Sequence, residues 1–195
     1  MIAQLTGNFL HKSATRLVID VNGVGYEVNI SLNTYGAIAN ASSGTLLTHL
    51  KVSEDSFTLY GFNDIAEKEM FLKLLSVSGV GASTARMMLS SLKPSEIQLA
   101  IGAGNVKLLE SIKGIGKKTA ERIALELRDK IGILPSAGTG SFTLPHNTPE
   151  AEALEGLMAL GIGRAIAEQA LKKVNSSGST DLSVENLIKQ ALKSI

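Results

Sequence analysis

Val77-Ser78-Gly79-Val80-Gly81 and Ile112-Lys113-Gly114-Ile115-Gly116 are two copies of one hydrophobic-Gly-hydrophobic-Gly turn, set 35 positions apart. The copies match without gaps over residues 76–92 and 111–127, with Thr84-Ala85 falling on Thr119-Ala120 just downstream. A gapless internal repeat marks a duplicated supersecondary unit, and this pattern is that of a helix-hairpin-helix. Two glycines around one apolar residue let the chain turn sharply, with positive φ where it is needed, while Val80 or Ile115 tucks beneath the turn to set the helix crossing. The amides that open the following helix lack intrahelical partners, and with the positive end of the helix dipole they favour an anion. A nucleic-acid phosphate is the expected occupant. Main-chain donors carry no base information, so the expected reading is of backbone position and shape.

A Gly-X-Gly between helices is often only a tight connector; two copies in register weigh toward binding. The side chains around the turns are unequal. The second copy carries Lys113, Lys117, Lys118 and Arg122, whereas the first has Ser78, Ala82, Ser83 and Met87 in those places, with Arg86 nearby. The second turn is therefore expected to supply most of the charge. Gly114-Ile-Gly-Lys-Lys-Thr also approaches a phosphate-binding P-loop, but that motif needs Gly five residues before its Gly-Lys and Ser or Thr directly after. Ser111 and Lys118 stand there, which argues against an ATP site.

Upstream of the repeat, residues 1–63 read as β. Arg16-Leu-Val-Ile-Asp-Val alternates into Asn22-Gly23, a strong hairpin signal, and Val24 to Ile30 returns as its partner. Leu46 to Val52 and Phe57 to Phe62 flank Ser53-Glu54-Asp55-Ser56. Five short strands in this span predict a small closed barrel of the OB type. The period changes at Asp64-Ile-Ala-Glu67, which reads as a capping box, with Met70, Phe71, Leu74 and Leu75 forming one helical face. Lys93-Pro94 opens another helix, Asn105 caps the helix entering the second copy, and Lys117 to Lys130 is amphipathic. Residues 64–131 are thus expected to form an all-α tandem helix-hairpin-helix domain.

Residues 132–148 contain Pro135, Pro145 and Gly138-Thr-Gly-Ser with no apolar period, the composition of a flexible linker. Beyond it, residues 149–195 predict three short helices: one capped at Thr148-Pro149-Glu150 and ended by Gly161, one over about 163–174, and one capped by Ser183. A small module on a tether suggests recruitment of a partner at raised effective concentration. Leu160-Gly-Ile-Gly163 imitates the hairpin hinge, but only Arg164 is basic nearby and its surroundings do not align with the repeat, so a third DNA-binding turn is not expected.

The chain has 195 residues, 44% of them hydrophobic, enough to bury a core in one domain or several. The absence of Cys excludes disulfides and thiolate metal sites and suits a reducing cytoplasm. The N-terminus has no basic region followed by a long apolar one, and 18 apolar residues never run together, so a cytoplasmic protein with no membrane segment is expected. A net charge of +1 is weak for a nucleic-acid binder. Its distribution is more telling, because residues 107–130 hold seven Lys or Arg against four acids, a local basic surface of the kind that neutralises a backbone.

No catalytic or metal constellation stands out. His11, His49 and His146 lack ligand spacing, and no Gly-x-Ser-x-Gly elbow or His-Glu-x-x-His is present. Glu54-Asp55 is the one acidic pair of interest, yet adjacent residues on a strand face opposite ways, and acids at hairpin tips are mostly solvated turn residues. No cofactor, metal or catalytic residue is expected.

Taken together, the chain resembles the RuvA family of bacterial Holliday-junction-binding proteins from end to end. The resemblance is carried by Met1-Ile, Asn22-Gly-Val-Gly-Tyr-Glu-Val, Glu54-Asp55 followed by Leu59-Tyr-Gly-Phe62, Gly79-Val-Gly81, and Gly114-Ile-Gly-Lys-Lys-Thr-Ala-Glu-Arg122. It implies a homotetramer, one or two per junction, that holds four-way DNA open and square. It also implies backbone contacts through Gly79, Val80, Gly81, Gly114, Ile115, Gly116, Lys117, Lys118 and Arg122, and an acidic pin of Glu54 and Asp55 at the crossover. Residues 149–195 become a three-helix UBA-like domain that engages the RuvB ATPase motor of branch migration, in recombination and repair including the SOS response to DNA damage, and a resolvase, RuvC, can join. The chain would then be a non-catalytic subunit of a helicase complex.

Two departures bear on this. Ser53 stands where the family often has a basic residue before the acids, and Ala82-Ser83 where it often has Pro-Lys; both remove positive charge, so the second hairpin is expected to carry more of the binding. Two rival readings are a helix-hairpin-helix nuclease or glycosylase fragment, which would cleave DNA without a partner, and a general DNA-binding scaffold, which would not distinguish junction from duplex.

Overall fold

A computed structural model describes residues 1–128, 130–131, 149–176 and 183–194. The chain divides into two compact units, Met1–Ser136 and Ala137–Ile195. The expected linker 132–148, with His146, lies outside the described residues.

The first unit begins with five strands, β1 (Gln4–Lys12), β2 (Arg16–Val21), β3 (Val24–Ile30), β4 (Ser43–Val52) and β5 (Phe57–Phe62). They close in the order β1-β2-β3-β5-β4, with β4 returning to pair β1. All pairings are antiparallel except β3 with β5, and closure leaves no long edge exposed. Asn22 and Gly23 turn the β2–β3 hairpin with φ of 52° and 88°, the left-handed pair that a two-residue turn requires, and Asp20 Oδ1 accepts from the Gly23 amide at 2.8 Å. Alternating residues Leu17, Ile19, Val28, Ile30, Leu46 and Leu59 point inward and fill the barrel. The barrel is the one the sequence predicts.

Five helices follow: α2 (Ile65–Leu75), α3 (Ala82–Ser91), α4 (Pro94–Gly102), α5 (Val106–Glu110) and α6 (Lys117–Arg128); a short helix α1 (Leu32–Ala37) lies between β3 and β4. The expected caps form at Asn105, whose Oδ1 accepts from Leu108, and at Lys93, where Glu96 accepts from the Lys93 amide at 2.7 Å. The helical core begins on the barrel itself: the fully buried ring of Phe71 packs against Tyr60 and Phe62 of β5, at 5.2 and 4.9 Å between centroids. His49 meets the same ring edge-on at 5.6 Å, which makes it a packing residue; burial and the neighbouring Lys68 both hold its pKa below the ordinary value.

At Glu67 the structure corrects the sequence reading. Asp64 caps α2, accepting from the Glu67 amide at 2.8 Å, but Glu67 does not return the bond. Its carboxylate turns into the seam between α1 and α2, where the Ser31 and Thr34 hydroxyls donate to its two oxygens. Ser31 in turn accepts from the Thr34 amide at 3.0 Å and Thr34 from the Asn63 amide at 3.1 Å, so the network is complete. Tertiary partners win over the local cap because a buried hydroxyl without an acceptor costs more than an exposed amide that water can satisfy. Helix α1 is too short to show a helical period in the sequence, although Ser31 is its N-cap.

Further hydrogen bonds tie barrel to tandem: Asn33 Nδ2 donates to the Leu89 and Leu92 carbonyls at 2.6 and 3.1 Å, and Arg86 Nη1 to Asn29 Oδ1 and the Thr15 carbonyl at 2.7 and 3.2 Å.

In the second unit α7 (Pro149–Ala159), α8 (Arg164–Ser176) and α9 (Val184–Ser194) surround Ala153, Leu157, Ala167, Leu171, Val174, Leu187 and Ala191. Gly161 ends α7 with φ of 90°. Small residues permit the close packing; a side chain at Gly156 would meet Ile188 at 2.7 Å. No described helix is long and apolar enough to cross a membrane.

Glu67 gives the fold a testable pH signature. Burial, the largest influence, and the nearby Asp64 raise its pKa above the ordinary value despite the Ser31 and Thr34 hydrogen bonds. Because the folded pKa exceeds the unfolded one, the native state binds the extra proton, and stability falls as pH rises from about 4.3 through the raised folded value. Glu67→Gln, which keeps hydrogen-bonding capacity without charge, should remove that slope in urea denaturation series at several pH values. Glu67→Ala, which strands both hydroxyls, should cost about 1–3 kcal/mol.

Candidate nucleic-acid interface

The two hairpins are the same object built twice. Gly79 and Gly114 both have φ of 89°, and the Val80 amide bonds the Val77 carbonyl at 3.0 Å as the Ile115 amide bonds Ile112 at 3.1 Å. Ala85 and Ala120 then bond the Gly81 and Gly116 carbonyls, each at 2.9 Å, starting the following helix in register. Val77, Val80, Ile112 and Ile115 are buried, the anchoring the turn needs to hold its shape.

Because each helix starts on a glycine, its first amides have nothing to bond. Gly81, Ala82, Ser83 and Thr84 in one copy, and Gly116, Lys117, Lys118 and Thr119 in the other, donate to no partner among the described residues. Gly81 and Gly116 are exposed at the mouths of these clusters. Four convergent amides at the positive end of a helix dipole make an anion seat with no side-chain specificity.

Lys113, Lys117 and Lys118 are exposed around the second seat and carry no hydrogen bond or ion pair among the described residues. At the first seat the equivalents contribute no charge, and Ala82 is buried where Lys117 is exposed. Arg86, the cation the sequence places nearby, is engaged by the barrel through Asn29 and Thr15. Arg122 behaves unlike the lysines: half-exposed, it donates from Nη1 to the Ser78 carbonyl of the first turn at 3.0 Å.

Glu54 and Asp55 sit exposed at the β4–β5 tip, on a four-residue turn held by the Ser53 amide to the Ser56 carbonyl at 2.9 Å. Among the described residues, no three His, Asp or Glu side chains gather as a metal-ligand set. Just below the acids Val52 pairs with Phe57, both exposed, Phe57 at 78%. They continue the inward-facing ladder of Leu50 and Leu59 beyond the barrel rim.

The imitation hinge at Leu160–Gly163 also has its glycine at φ of 90° and a helix bond from Ala167 to Gly163 at 3.0 Å. Its bonding differs, however, with Ile162 reaching back to Leu157. Arg164 is paired to Glu168 at 2.8 Å. The turn has the shape of a seat without the free cations.

Comparison with known proteins accounts for nearly the whole chain. Residues 1–61 match the family described as RuvA N terminal domain, residues 71–129 the SAM-like Helix-hairpin-helix tandem, and residues 148–195 the RuvA, C-terminal domain. A protein of Flavobacterium psychrophilum named Holliday junction branch migration complex subunit RuvA is 48% identical over 195 residues, covering 100% of both chains. Proteins of the same name from Christiangramia forsetii and Bacteroides fragilis are 45% and 42% identical, over 100% and 99% of each chain respectively.

The paired glycines should separate by backbone role. Gly114→Ala forces a side chain into a left-handed conformation and should destabilise by about 1–2 kcal/mol in chemical denaturation. At Gly116, whose φ is not in that region and whose surroundings are open, alanine should leave stability nearly unchanged. Any binding defect of Gly116→Ala would then report crowding of the anion seat.

Proposed function

The chain belongs to the RuvA family, and from that premise we propose that it is the subunit of a branch-migration complex that binds four-way DNA junctions and recruits the ATPase motor. It does no chemistry itself; ATP hydrolysis belongs to the partner motor, RuvB. The observation that carries this reading is the pair of matching hairpins, each presenting four unpaired amides, one ringed by free lysines. Gly79, Val80, Gly81, Gly114, Ile115 and Gly116 shape the two seats, Lys117 and Lys118 neutralise phosphate at the second, and Arg122 lies between them. Two seats on one rigid core hold two points of a DNA backbone at a set spacing, which reads duplex geometry with no reading of sequence.

Glu54 and Asp55 act in the opposite sense. Carboxylates on a narrow exposed tip repel phosphates, so continuous duplex is penalised where an open crossover is tolerated. Four copies about a fourfold axis would bring four tips to the centre of a square junction, and a second tetramer could cover the opposite face. Residues 149–195 form the docking module for RuvB, and RuvC approaches a junction held this way; the setting is the cytoplasm.

Lys117→Ala with Lys118→Ala should weaken junction binding with no change in sequence preference, and should reduce the slope of log affinity against log salt by about 0.9 for each phosphate that is no longer neutralised. Fluorescence anisotropy with labelled junctions across a salt series checks this, and an unchanged slope would place the lysines off the DNA.

Neutralising the tip as Glu54→Gln with Asp55→Asn should hold or raise affinity, more for linear duplex than for junction, so that selectivity falls. A metal-ligand role predicts weaker binding or the loss of metal-dependent cleavage, and a merely solvated turn predicts an unaltered junction-to-duplex ratio. Dissociation constants for both DNAs, with magnesium and with chelator, distinguish these outcomes.

A further inference from the structure

Arg122 belongs to the second repeat, yet its guanidinium works on the first. Nη1 donates to the Ser78 carbonyl at 3.0 Å and lies 3.8 Å from where a Cβ on Gly79 would sit. Its Nε forms an i,i+4 ion pair with Glu126 at 3.8 Å, longer than a hydrogen bond, which leaves Nη1 on the Ser78 carbonyl. Near the end of the same unit, Lys130 Nζ donates to Ser76 Oγ at 3.3 Å, a second tie from the second repeat to the base of the first turn.

The relation is one-way. The position equivalent to Arg122 in the first repeat is Met87, which has no donor, and the Lys113 carbonyl, equivalent to that of Ser78, has no partner among the described residues. Meanwhile the first hairpin has no cation of its own at the turn, since Arg86 is engaged by the barrel.

We propose that Arg122 is a positioning residue: it braces the first hairpin so that the second repeat both binds its own phosphate and completes the seat of the first. The Ser78 carbonyl and the Gly79 amide are two ends of one peptide group. A charged donor on that carbonyl polarises the group and strengthens the Gly79 amide, which has no partner among the described residues and stands just ahead of the four amides of Gly81 to Thr84. It also fixes the plane of a peptide next to a glycine that is otherwise free to rotate. A seat made only of main-chain donors depends on such preorganisation, because no flexible side chain can adjust to the anion. The proposal rests on the DNA-backbone reading above and adds a division of labour within it.

The test compares Arg122→Met, which copies the Met87 environment, with Arg122→Lys in the full chain. The brace predicts that Arg122→Met weakens four-way junction binding by about fivefold to tenfold with the salt slope unchanged, whereas a direct phosphate contact would lower the slope by about 0.9. Arg122→Lys, keeping a charged donor, should recover part of the affinity. Ser83→Glu places a carboxylate at the first seat and blocks it. In that background Arg122→Met should cost less than about twofold, while in the Lys117→Ala, Lys118→Ala background it should cost its full amount. Amide shifts on adding inorganic phosphate give a readout independent of DNA: the responses of residues 79–84 should vanish in Arg122→Met while those of residues 114–119 persist. Disappearance of both sets, a lowered salt slope, or an undiminished effect beside Ser83→Glu would each overturn the brace. A wild-type chain without preference for junction over duplex would defeat the functional reading instead, and the phosphate shifts would still decide the role of Arg122.

Discussion

Packing of Phe71 against Tyr60 and Phe62 is the contact on which the rest of the first unit depends. It makes the last strand of the barrel the first wall of the helical core: Tyr60 and Phe62 belong to the interior of the tandem, while Leu17, Ile19, Val28 and Leu46 fill the barrel's own separate core. Interiors packed at crystal-like density transmit position without slack. The acidic tip is an extension of β4 and β5, and both hairpins join helices of the core that α2 anchors on β5. Each therefore stands at a fixed place relative to the other, which a reader of DNA shape requires and two domains on a loose joint could not supply.

The polar seam around that contact specifies the alignment more than it adds stability. Asn33 binds two carbonyls at the end of α3, Arg86 binds Asn29 and Thr15, and Ser31 and Thr34 embrace Glu67. Burying these groups is unfavourable unless every bond is made, so a displaced α1 or a slipped helix would leave several unsatisfied at once. Apolar contact would tolerate such slippage. In consequence Arg86 and Glu67 are committed to the fold.

Duplication with divergence explains the asymmetry of the two seats. Backbone geometry is retained to within a degree in φ at the key glycines, because the turn tolerates little else. Side chains are under no such constraint. The second repeat collected the lysines, and the first retains a bare main-chain seat whose neighbouring cation arrives from α6.

Most of the architecture was legible in the chain. Period-two alternation and Asn22-Gly23 specified the strands and their first turn, and the glycine repeat specified both hairpins, since these are local preferences of residues for particular dihedral angles. The acids at the strand tip and the lysines after Gly116 were legible for the same reason: their exposure follows from a turn and a helix start. What the chain could not disclose was where its long side chains ended. Glu67 reads as a capping residue and lies in a buried seam, Arg86 reads as a cation near the first turn and bonds the barrel, and Arg122 reads as a contact for its own turn and reaches the other. For the three charged residues the outcome hangs on partners distant in sequence, 36 residues away for Glu67, 57 for Arg86 and 44 for Arg122. Local pattern fixes the backbone through short-range sterics, but a flexible side chain takes the partner that only the assembled fold brings within its reach.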